Sequence, residues 1–304
     1  MDNTAVKYEK ALFIYNGNAG NEELKWKLSQ TLPLLSEGIR ELRVVKSRSA
    51  EESVRICRDY SREVDLLIIL GGDGTVHQCI NSIAELDQRP VVAVLPGGTS
   101  NDFSRMLGIP QDLEEAAGAI LAGEVLDIDV GKAEDRYFLN FWGIGLVAET
   151  SRNIDADQKK NLGVLSYFMS TLRTVNQTEP FSYEIIADGG KKYEDEAVLI
   201  IVLNGKYLGT RELPIPTIQA DDGLLDVLVI KTSTLATFRE LLSIRNPHTD
   251  LEDFTELEHF QAKDLRIATP ASKEADMDGE LEGATPAHIA ILPGHLRMIG
   301  KNFK

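Results

Sequence analysis

Short apolar runs alternate with helical patterns along the first part of the chain, and this alternation is the strongest constraint on the fold. Four runs have the length of strands and little polar interruption: residues 11–15, 42–45, 65–70 and 91–95. Parallel strands that helices cover on both faces have this continuous apolar character. The first region is therefore predicted to be an α/β domain with a doubly wound parallel sheet.

Local signals support the helices between these runs. Ser49 and Glu52 have the spacing of a capping box and predict a helix that extends to about Arg62. A second helical pattern covers residues 22–35. We predict that Cys57 and Cys79, which lie in helical segments without a CxxC neighbour, are buried and reduced thiols.

After about Asp127 the pattern changes to strands separated by turn signals. The predicted strands are residues 181–187, 197–203, 224–230, 265–268 and 287–292, with a turn at 188–190 and helical insertions near 165–175 and 235–244. Such a series is typical of an antiparallel sandwich or an open barrel. The acidic segment 249–258 is expected to be a solvated loop.

Two glycine-rich turns follow the third and fourth predicted strands, and each opens a predicted helix. They extend from Gly71 to Thr75 and from Pro96 to Asp102. Ligands of open parallel sheets bind at the carboxyl ends of the strands, where both turns lie. Glycine lets backbone N–H groups approach an anion, and a helix N-terminus favours negative charge. The pair predicts a cradle for nucleotide phosphates, with ordinary βα turns as the alternative.

Two acidic segments of the second region are further candidates. Five acids lie between Glu274 and Glu282, which by default form a solvated loop and otherwise supply a general base or a Mg²⁺ ligand. Asp222, beside Gly223, suits either a hard cation or a β-turn. His77 is expected on a helix surface, and Trp26 and Trp142 in core or interdomain packing.

Charge and hydropathy limit the partners. The chain has 32 Lys and Arg against 48 Asp and Glu, a formal charge of −16, which disfavours nucleic acid and tight docking on anionic membranes. The N-terminus has no apolar leader segment, and no apolar run approaches the ~20 residues that span a bilayer. We therefore predict a cytoplasmic protein without a transmembrane segment.

Taken together, these motifs resemble the diacylglycerol kinase catalytic family, in particular the soluble bacterial lipid kinases related to sphingosine and ceramide kinases. The matching motifs are NxxxG at Asn16 to Gly20, GGDGT at Gly71 to Thr75, PGGTSNDFSR at Pro96 to Arg105 and DGE at Asp278 to Glu280. They occur in the family's order and cover essentially the whole chain. GGDGT alone is shared with NAD kinases, whereas GTxNDFxR together with a late DGE is far more specific.

The resemblance implies a nucleotide domain over residues 1–128, to which 293–304 return, a β-rich domain over 129–292, and an active site in the cleft between them. It implies ATP and Mg²⁺ as cofactors. The implied ATP contacts are Asn16, Gly71, Gly72, Asp73, Gly74, Thr75, Thr99 and Asn101. Glu280 and Asp278 are the implied catalytic carboxylates, and Glu280 takes the proton of the lipid hydroxyl. A structural Mg²⁺ is implied at Asp222 and the backbone carbonyls of Gln219 and Leu224.

The function implied by the resemblance is ATP-dependent phosphorylation of diacylglycerol or a similar lipid to give phosphatidic acid. It also implies transient peripheral contact with the inner membrane face and allows a homodimer. Two alternatives stay open: an NAD kinase, and a non-catalytic lipid- or nucleotide-binding regulator. The second arises because His77-Gln78 replaces the family's usual Asn-Glu after GGDGT.

Overall fold

The computed structural model describes residues 6–16, 21–148, 179–232, 237, 240, 243 and 254–301. The chain divides into two units, the first formed by Met1–Ile128 with Gly294–Lys304 and the second by Asp129–Pro293. The predicted fold class is confirmed: the first unit is α/β with a parallel sheet, and the second is an antiparallel β-sandwich.

The first unit contains a parallel sheet in the order β2-β1-β3-β4. Its strands are β1 (Tyr8–Asn16), β2 (Ile39–Ser47), β3 (Leu66–Gly71) and β4 (Val91–Pro96). Its helices are α1 (Asn21–Gly38), α2 (Ala50–Tyr60), α3 (Asp73–Ile83), α4 (Asp102–Met106) and α5 (Leu113–Ala122). Strand β4 is fully buried and β3 nearly so, as the continuous apolar runs predict.

Ser49 is confirmed as the N-cap of α2, because its hydroxyl oxygen accepts the Glu52 N–H at 3.2 Å. The Glu52 side chain accepts the Arg48 N–H at 2.7 Å, and not the Ser49 N–H of a complete capping box. Cys57 and Cys79 are buried free thiols in α2 and α3, as predicted. Burial and the neighbouring Cys57 raise the pKa of the Cys79 thiol, with the hydrogen bond from Cys57 as the largest cause. None of the helices in the described ranges combines the length and apolar character that crossing a bilayer requires.

The remaining strands form the second unit and its chain connections. In chain order they are β5 (Glu124–Ala133), β6 (Arg136–Phe138), β7 (Phe141–Gly145), β8 (Phe181–Ala187), β9 (Lys191–Ala197), β10 (Leu199–Leu203), β11 (Tyr207–Leu208), β12 (Arg211–Glu212), β13 (Leu225–Ile230), β14 (Leu257–Ala262), β15 (Asp264–Ala268), β16 (Glu274–Met277), β17 (Glu280–Ala284) and β18 (Ala287–Gly300). Along the chain, β5 and β18 run from one unit into the other. Near its end, β18 pairs with β4 through Met298 and Val92.

The sandwich core lies between two antiparallel layers. One layer has the order β14-β13-β10-β7-β16-β17, and the other contains β15, β8, β9 and the first part of β18. Ile200 and Val227 of the first layer share one hydrophobic cluster with Ile185 and Leu265 of the second. Ile201 belongs to a second cluster on the opposite face of the first layer. Strand β10 is therefore buried on both faces, which explains its unbroken apolar sequence.

Several local expectations are wrong. The turn at 188–190 leads into β9, and not directly into residues 197–203 as predicted. Strand β9 was missed because it lies at the edge of its sheet, where exposed positions carry charged residues. The expected loop 249–258 includes the start of β14 at Leu257, while 249–253 lie outside the described residues. The insertion at 165–175 and most of 235–244 also fall outside them.

Two side-chain environments also differ from expectation. Trp26 is 53% exposed, because it lies on the solvent side of α1. His77 is buried in α3, where Asn81 lies one turn later with its Nδ2 at 3.3 Å from His77 Nε2. This hydrogen bond offsets the free-energy cost of burying an imidazole. The sequence pattern of the helix does not indicate this partner. Trp142 is buried in the sandwich core, which is the core packing we expected.

Candidate active site

The two glycine turns touch through their backbones at the carboxyl edge of the parallel sheet. Gly71 is paired with Pro96, and the Gly97 N–H donates to the Gly71 carbonyl at 2.9 Å. A Cβ on Gly97 would lie 2.8 Å from Gly71 N, and one on Gly98 would lie 2.5 Å from the Cα of Gly72. Real Cβ atoms do not approach backbone so closely. These turns therefore need glycine because each excludes side chains from the other.

The first turn presents the start of α3 to this edge. Gly72 is the N-cap residue, and the first helical bond runs from the Val76 N–H to the Gly72 carbonyl at 3.1 Å. The N–H groups of Gly74 and Thr75 precede that bond and belong to the set that a helix leaves without an internal acceptor. Such groups, with the helix dipole, suit an anion.

The second turn is held by the side chain of Asn101. This residue has φ 52°, and its Oδ1 accepts the Gly98 N–H at 2.8 Å while its Nδ2 donates to the Gly98 carbonyl at 3.0 Å. Asp73 connects the turns, with its Oδ1 3.5 Å from the N–H of Phe103. The Asn101 carboxamide thus shapes the turn, whereas Thr99 is exposed.

Asn16 ends β1 at the same edge. Strand β1 lies between β2 and β3, and Tyr15 is in register with Leu70, so Asn16 is level with Gly71. The side chain is half-buried. The strand register therefore brings Asn16 to the same level of the sheet edge as the first glycine turn.

Sequence reasoning missed a lysine beside these turns. Lys27 of α1 donates from Nζ to the Gly97 carbonyl at 2.8 Å and pairs with Glu23 Oε1 at 2.8 Å. Its side chain is only 13% exposed. The i,i+4 spacing of Glu23 and Lys27 was visible in the sequence, but it does not indicate that this helix face meets the second turn. The structure thus adds a cationic group to the edge.

The DGE motif forms the tip of a hairpin in the second unit. Asp278 and Gly279, at φ 54° and 92°, form the two-residue turn between β16 and β17, and Met277 pairs with Glu280. Positive φ at both positions is the requirement of a type I′ turn, which favours Asp-Gly. The default expectation of a solvated acidic loop at 274–282 is therefore wrong, since Asp276 and Asp278 are buried.

The two DGE carboxylates have different surroundings. Asp278 accepts the backbone N–H groups of Leu139 and Asn140 at 2.8 Å each and that of Phe141 at 3.0 Å. Its carboxylate is thereby committed to holding the hairpin on the turn between β6 and β7. Glu280, the next position after the hairpin turn, is half-buried. Of the two, only Asp278 has its carboxylate bonded to the backbone N–H groups of this turn.

Asp222 lies in the loop between β12 and β13, three residues after the exposed Gln219. Its Oδ1 accepts the Leu224 N–H at 2.9 Å. Burial raises the pKa of the Asp222 carboxyl, and the nearby Asp226, Asp129 and Asp221 raise it further, while the Leu224 N–H lowers it. A single carboxylate in a loop whose backbone carbonyls can add oxygen ligands is compatible with a hard cation such as Mg²⁺. No cluster of three His, Cys, Asp or Glu side chains with metal-binding geometry occurs in the described ranges, so such a site depends on backbone carbonyls.

Two further buried residues connect these segments and were also missed. Asp129 Oδ2 accepts the Gly223 N–H at 2.6 Å, beside Asp222. Asn204 donates from Nδ2 to the carbonyls of Leu139 at 2.8 Å and Asp129 at 3.0 Å. Asn204 therefore links the turn that Asp278 holds to the strand that supports the Asp222 loop. The only sequence signal was Asn-Gly after an apolar strand, which equally predicts a simple turn.

Comparison with known proteins gives a consistent result across the chain. Residues 10–133 match the model of the diacylglycerol kinase catalytic domain, and residues 143–300 match that of the YegS C-terminal NAD kinase beta sandwich-like domain. A Staphylococcus aureus (strain MRSA252) protein named "Putative lipid kinase SAR0780" is 28% identical over 301 residues, covering 97% of this chain and 98% of the relative.

A solved structure is more similar in sequence. The crystal structure described as "a putative diacylglycerol kinase" from Bacillus anthracis strain Sterne is 43% identical, with a TM-score of 0.88. The match covers 97% of this chain and 98% of that one. A further structure, of a diacylglycerol kinase from the same strain, has a TM-score of 0.86 at 43% identity.

Proposed function

Because the chain belongs to the diacylglycerol kinase catalytic family, we propose that it transfers the γ-phosphoryl group of ATP to the hydroxyl of diacylglycerol or a similar lipid, giving phosphatidic acid. The observation that carries the proposal is the backbone contact between the two glycine turns. It keeps the space between Gly72 and Gly98 free of any Cβ. The N–H groups of Gly74 and Thr75 at the start of α3 suit a polyphosphate there.

In this proposal the first unit binds the nucleotide. Backbone N–H groups around Gly72, Gly74 and Thr75 hold the phosphates, and Thr99 and Asn16 add polar contacts at the same edge. Lys27 contributes positive charge beside the second turn. Mg²⁺, when bound with ATP, supplies further charge neutralisation at the phosphates. Alignment and neutralisation are the main tasks of a protein in phosphoryl transfer.

The second unit supplies the acceptor chemistry. Glu280 takes the proton of the lipid hydroxyl while the hydroxyl oxygen forms the new bond to the γ-phosphorus. The bond between the γ-phosphorus and the bridging oxygen of ADP breaks, and its electrons remain on ADP. Asp278 acts as a positioning residue, because its hydrogen bonds hold the hairpin that carries Glu280. Since the acceptor lipid resides in a bilayer, the reaction requires transient contact with a membrane surface.

The proposal is tested by incubating the protein with γ-labelled ATP and mixed micelles containing diacylglycerol, ceramide or no lipid, and in parallel with NAD. Labelled phosphatidic acid is the expected product. Labelled NADP would instead identify an NAD kinase. Tight ATP binding with no product from any acceptor would identify a non-catalytic regulator.

A pair of variants tests the glycine turns themselves. Gly97→Ala should abolish ATP binding in a titration, because the new Cβ would displace the backbone of Gly71. Gly118→Ala is the matched control, since a Cβ there meets nothing within 4 Å. Equal ATP affinity in both variants would remove the glycine turns from the mechanism.

A further inference from the structure

A cavity of about 690 Å³ opens at the edge of the parallel sheet opposite to the glycine turns. Tyr8 at the start of β1 and Val91 at the start of β4 both line it. All of its lining residues belong to the first unit. Strand β3, with six residues, separates the two edges by roughly 17–20 Å. The cavity is therefore distinct from the candidate phosphate cradle.

Three arginines line this cavity, namely Arg62, Arg89 and Arg297. Within the part of the chain that the structure describes, none of them forms an ion pair with a carboxylate. By contrast, Arg40 of the same unit pairs with Glu9 at 3.3 Å. In a chain of net charge −16, arginines gathered without carboxylate partners are a marked local departure.

Two of these basic groups and a histidine converge on the end of α3. Arg89 donates from Nη1 to the carbonyls of Ala84 at 3.1 Å and Leu86 at 2.6 Å. His295 places its Nε2 2.8 Å from the same Ala84 carbonyl. Arg297 Nη2 lies 3.5 Å from the Arg89 carbonyl. The backbone thus fixes this group in place, as a preformed site requires.

Three aspartates also line the cavity: Asp65, Asp87 and Asp127. One oxygen of Asp65 already accepts the Lys10 N–H at 3.0 Å. Arginine guanidinium groups recognise phosphate through paired hydrogen bonds, and carboxylates accept hydrogen bonds from hydroxyl groups. A ligand that satisfies both sets carries a phosphate and free hydroxyls, and the volume is in the range of small-molecule sites.

We propose that this cavity is a second ligand site, which binds a phosphate ester that carries free hydroxyl groups. Two sources share this chemistry, a soluble compound such as glycerol 3-phosphate and the headgroup of phosphatidylglycerol. The inference is independent of the proposed kinase activity, because no residue of the cavity belongs to the glycine turns or to the DGE hairpin.

The full chain is titrated with glycerol 3-phosphate in a calorimeter, and its sedimentation with phosphatidylglycerol and phosphatidylcholine vesicles is measured in parallel. Saturable binding to the soluble ester, or to phosphatidylglycerol vesicles alone, supports the site and identifies the source. The substitutions Arg62→Gln and Arg297→Gln should each weaken that binding about tenfold or more, because each removes a charged donor. Arg40→Gln, outside the cavity, should leave it unchanged.

Three results would overturn the proposal: no saturable binding in either arm, equal binding by the Arg62→Gln and Arg297→Gln variants, or inorganic phosphate binding as tightly as the ester. Both arginines are exposed, so the variants should fold, which thermal melts verify. Gly97→Ala should keep the binding even where it loses ATP. Failure of this site and failure of the kinase proposal are therefore separate outcomes.

Discussion

Two hairpins of the second unit turn on the same dipeptide, Asp188-Gly189 in one and Asp278-Gly279 in the other, and all four residues have positive φ. The Asp188 carboxylate is exposed and accepts the N–H groups of Lys263 at 2.8 Å and Asp264 at 3.1 Å. The Asp278 carboxylate is buried and accepts three N–H groups. The same local chemistry thus occurs in a solvated and in a buried setting.

This contrast shows which part of the DGE motif carries information about function. Asp-Gly accounts for the turn in both hairpins and is therefore a structural signal. The difference lies in burial and in the first residue of the returning strand, which is Lys191 in one hairpin and Glu280 in the other. A carboxylate at that position, on a tip held by a buried aspartate, is the feature that the exposed hairpin lacks.

The largest expected difference between the hairpins concerns turnover. Glu280→Gln should lower kcat by about 10²- to 10⁴-fold, because a general base is lost, and should leave ATP affinity unchanged. The labelled-ATP assay with diacylglycerol measures the first and calorimetry the second. Lys191→Gln changes the first strand residue after the other turn, which is one residue longer, and should retain activity. Full turnover in the Glu280→Gln variant would exclude this residue as the base.

The two aspartates should differ in their effect on stability. Asp278→Asn should lower the free energy of unfolding by about 2–3 kcal/mol, because one amide oxygen replaces a charged acceptor of three buried N–H groups. Asp188→Asn should cost about 1 kcal/mol or less, since water can reach the groups it leaves. Urea denaturation of both variants measures the difference. Equal losses would mean that burial does not distinguish the hairpins.

The two glycines, by contrast, should behave alike. A Cβ on Gly279 or Gly189 meets no atom within 4 Å, so the substitution by Ala costs only the strain of positive φ, about 1 kcal/mol in each case. Thermal melts of Gly279→Ala and Gly189→Ala compare them directly. A much larger loss at Gly279 would show that the hairpin tip has packing demands beyond its turn geometry.

A third Asp-Gly pair, Asp222-Gly223, can be compared with the two hairpin turns. The change in stability expected there is the smallest of those predicted. The pKa of Asp222 is raised in the fold, so without divalent cations the wild type should lose stability as the pH rises from the ordinary aspartate pKa through the raised value. The change should stay below about 1 kcal/mol because the carboxyl is only partly buried and solvent screens it.

Asp222→Asn should flatten this pH dependence and should also abolish any rise of Tm with Mg²⁺. Melts at several pH values, with Mg²⁺ or a chelator, test both effects, and Asp188→Asn serves as the control with an intact Asp222. A variant that still gains stability from Mg²⁺ would contradict the metal site that the family resemblance implies at Asp222.

Features whose cause is local could be predicted from the sequence. The apolar runs of β3 and β4, the Ser49 N-cap and the glycine turns each depend on a few neighbouring residues, and the structure contains all of them. Strand β9 escaped prediction because its charges fit a strand only at the edge of a sheet. That position is a property of the whole sheet.

Contacts between distant segments could not be predicted either, because they too depend on the whole fold. Lys27 meets Gly97 across 70 positions of sequence, and Asp129 meets Gly223 across 94. No periodicity or motif reports such pairs, because they arise from the packing of α1 and of the loop before β13. Asp278 was predicted as catalytic, and only its three hydrogen-bond partners indicate a supporting role.

Strand β18 has a consequence for biosynthesis. Its final part pairs with β4, and His295 lies within hydrogen-bond distance of the carbonyl of Ala84, at the end of α3. The first unit therefore includes residues that are synthesised more than 160 positions after Ile128. During translation the first unit therefore stays incomplete until the sandwich has been synthesised. Shortening the chain by its last strand would be expected to compromise the unit that was synthesised first.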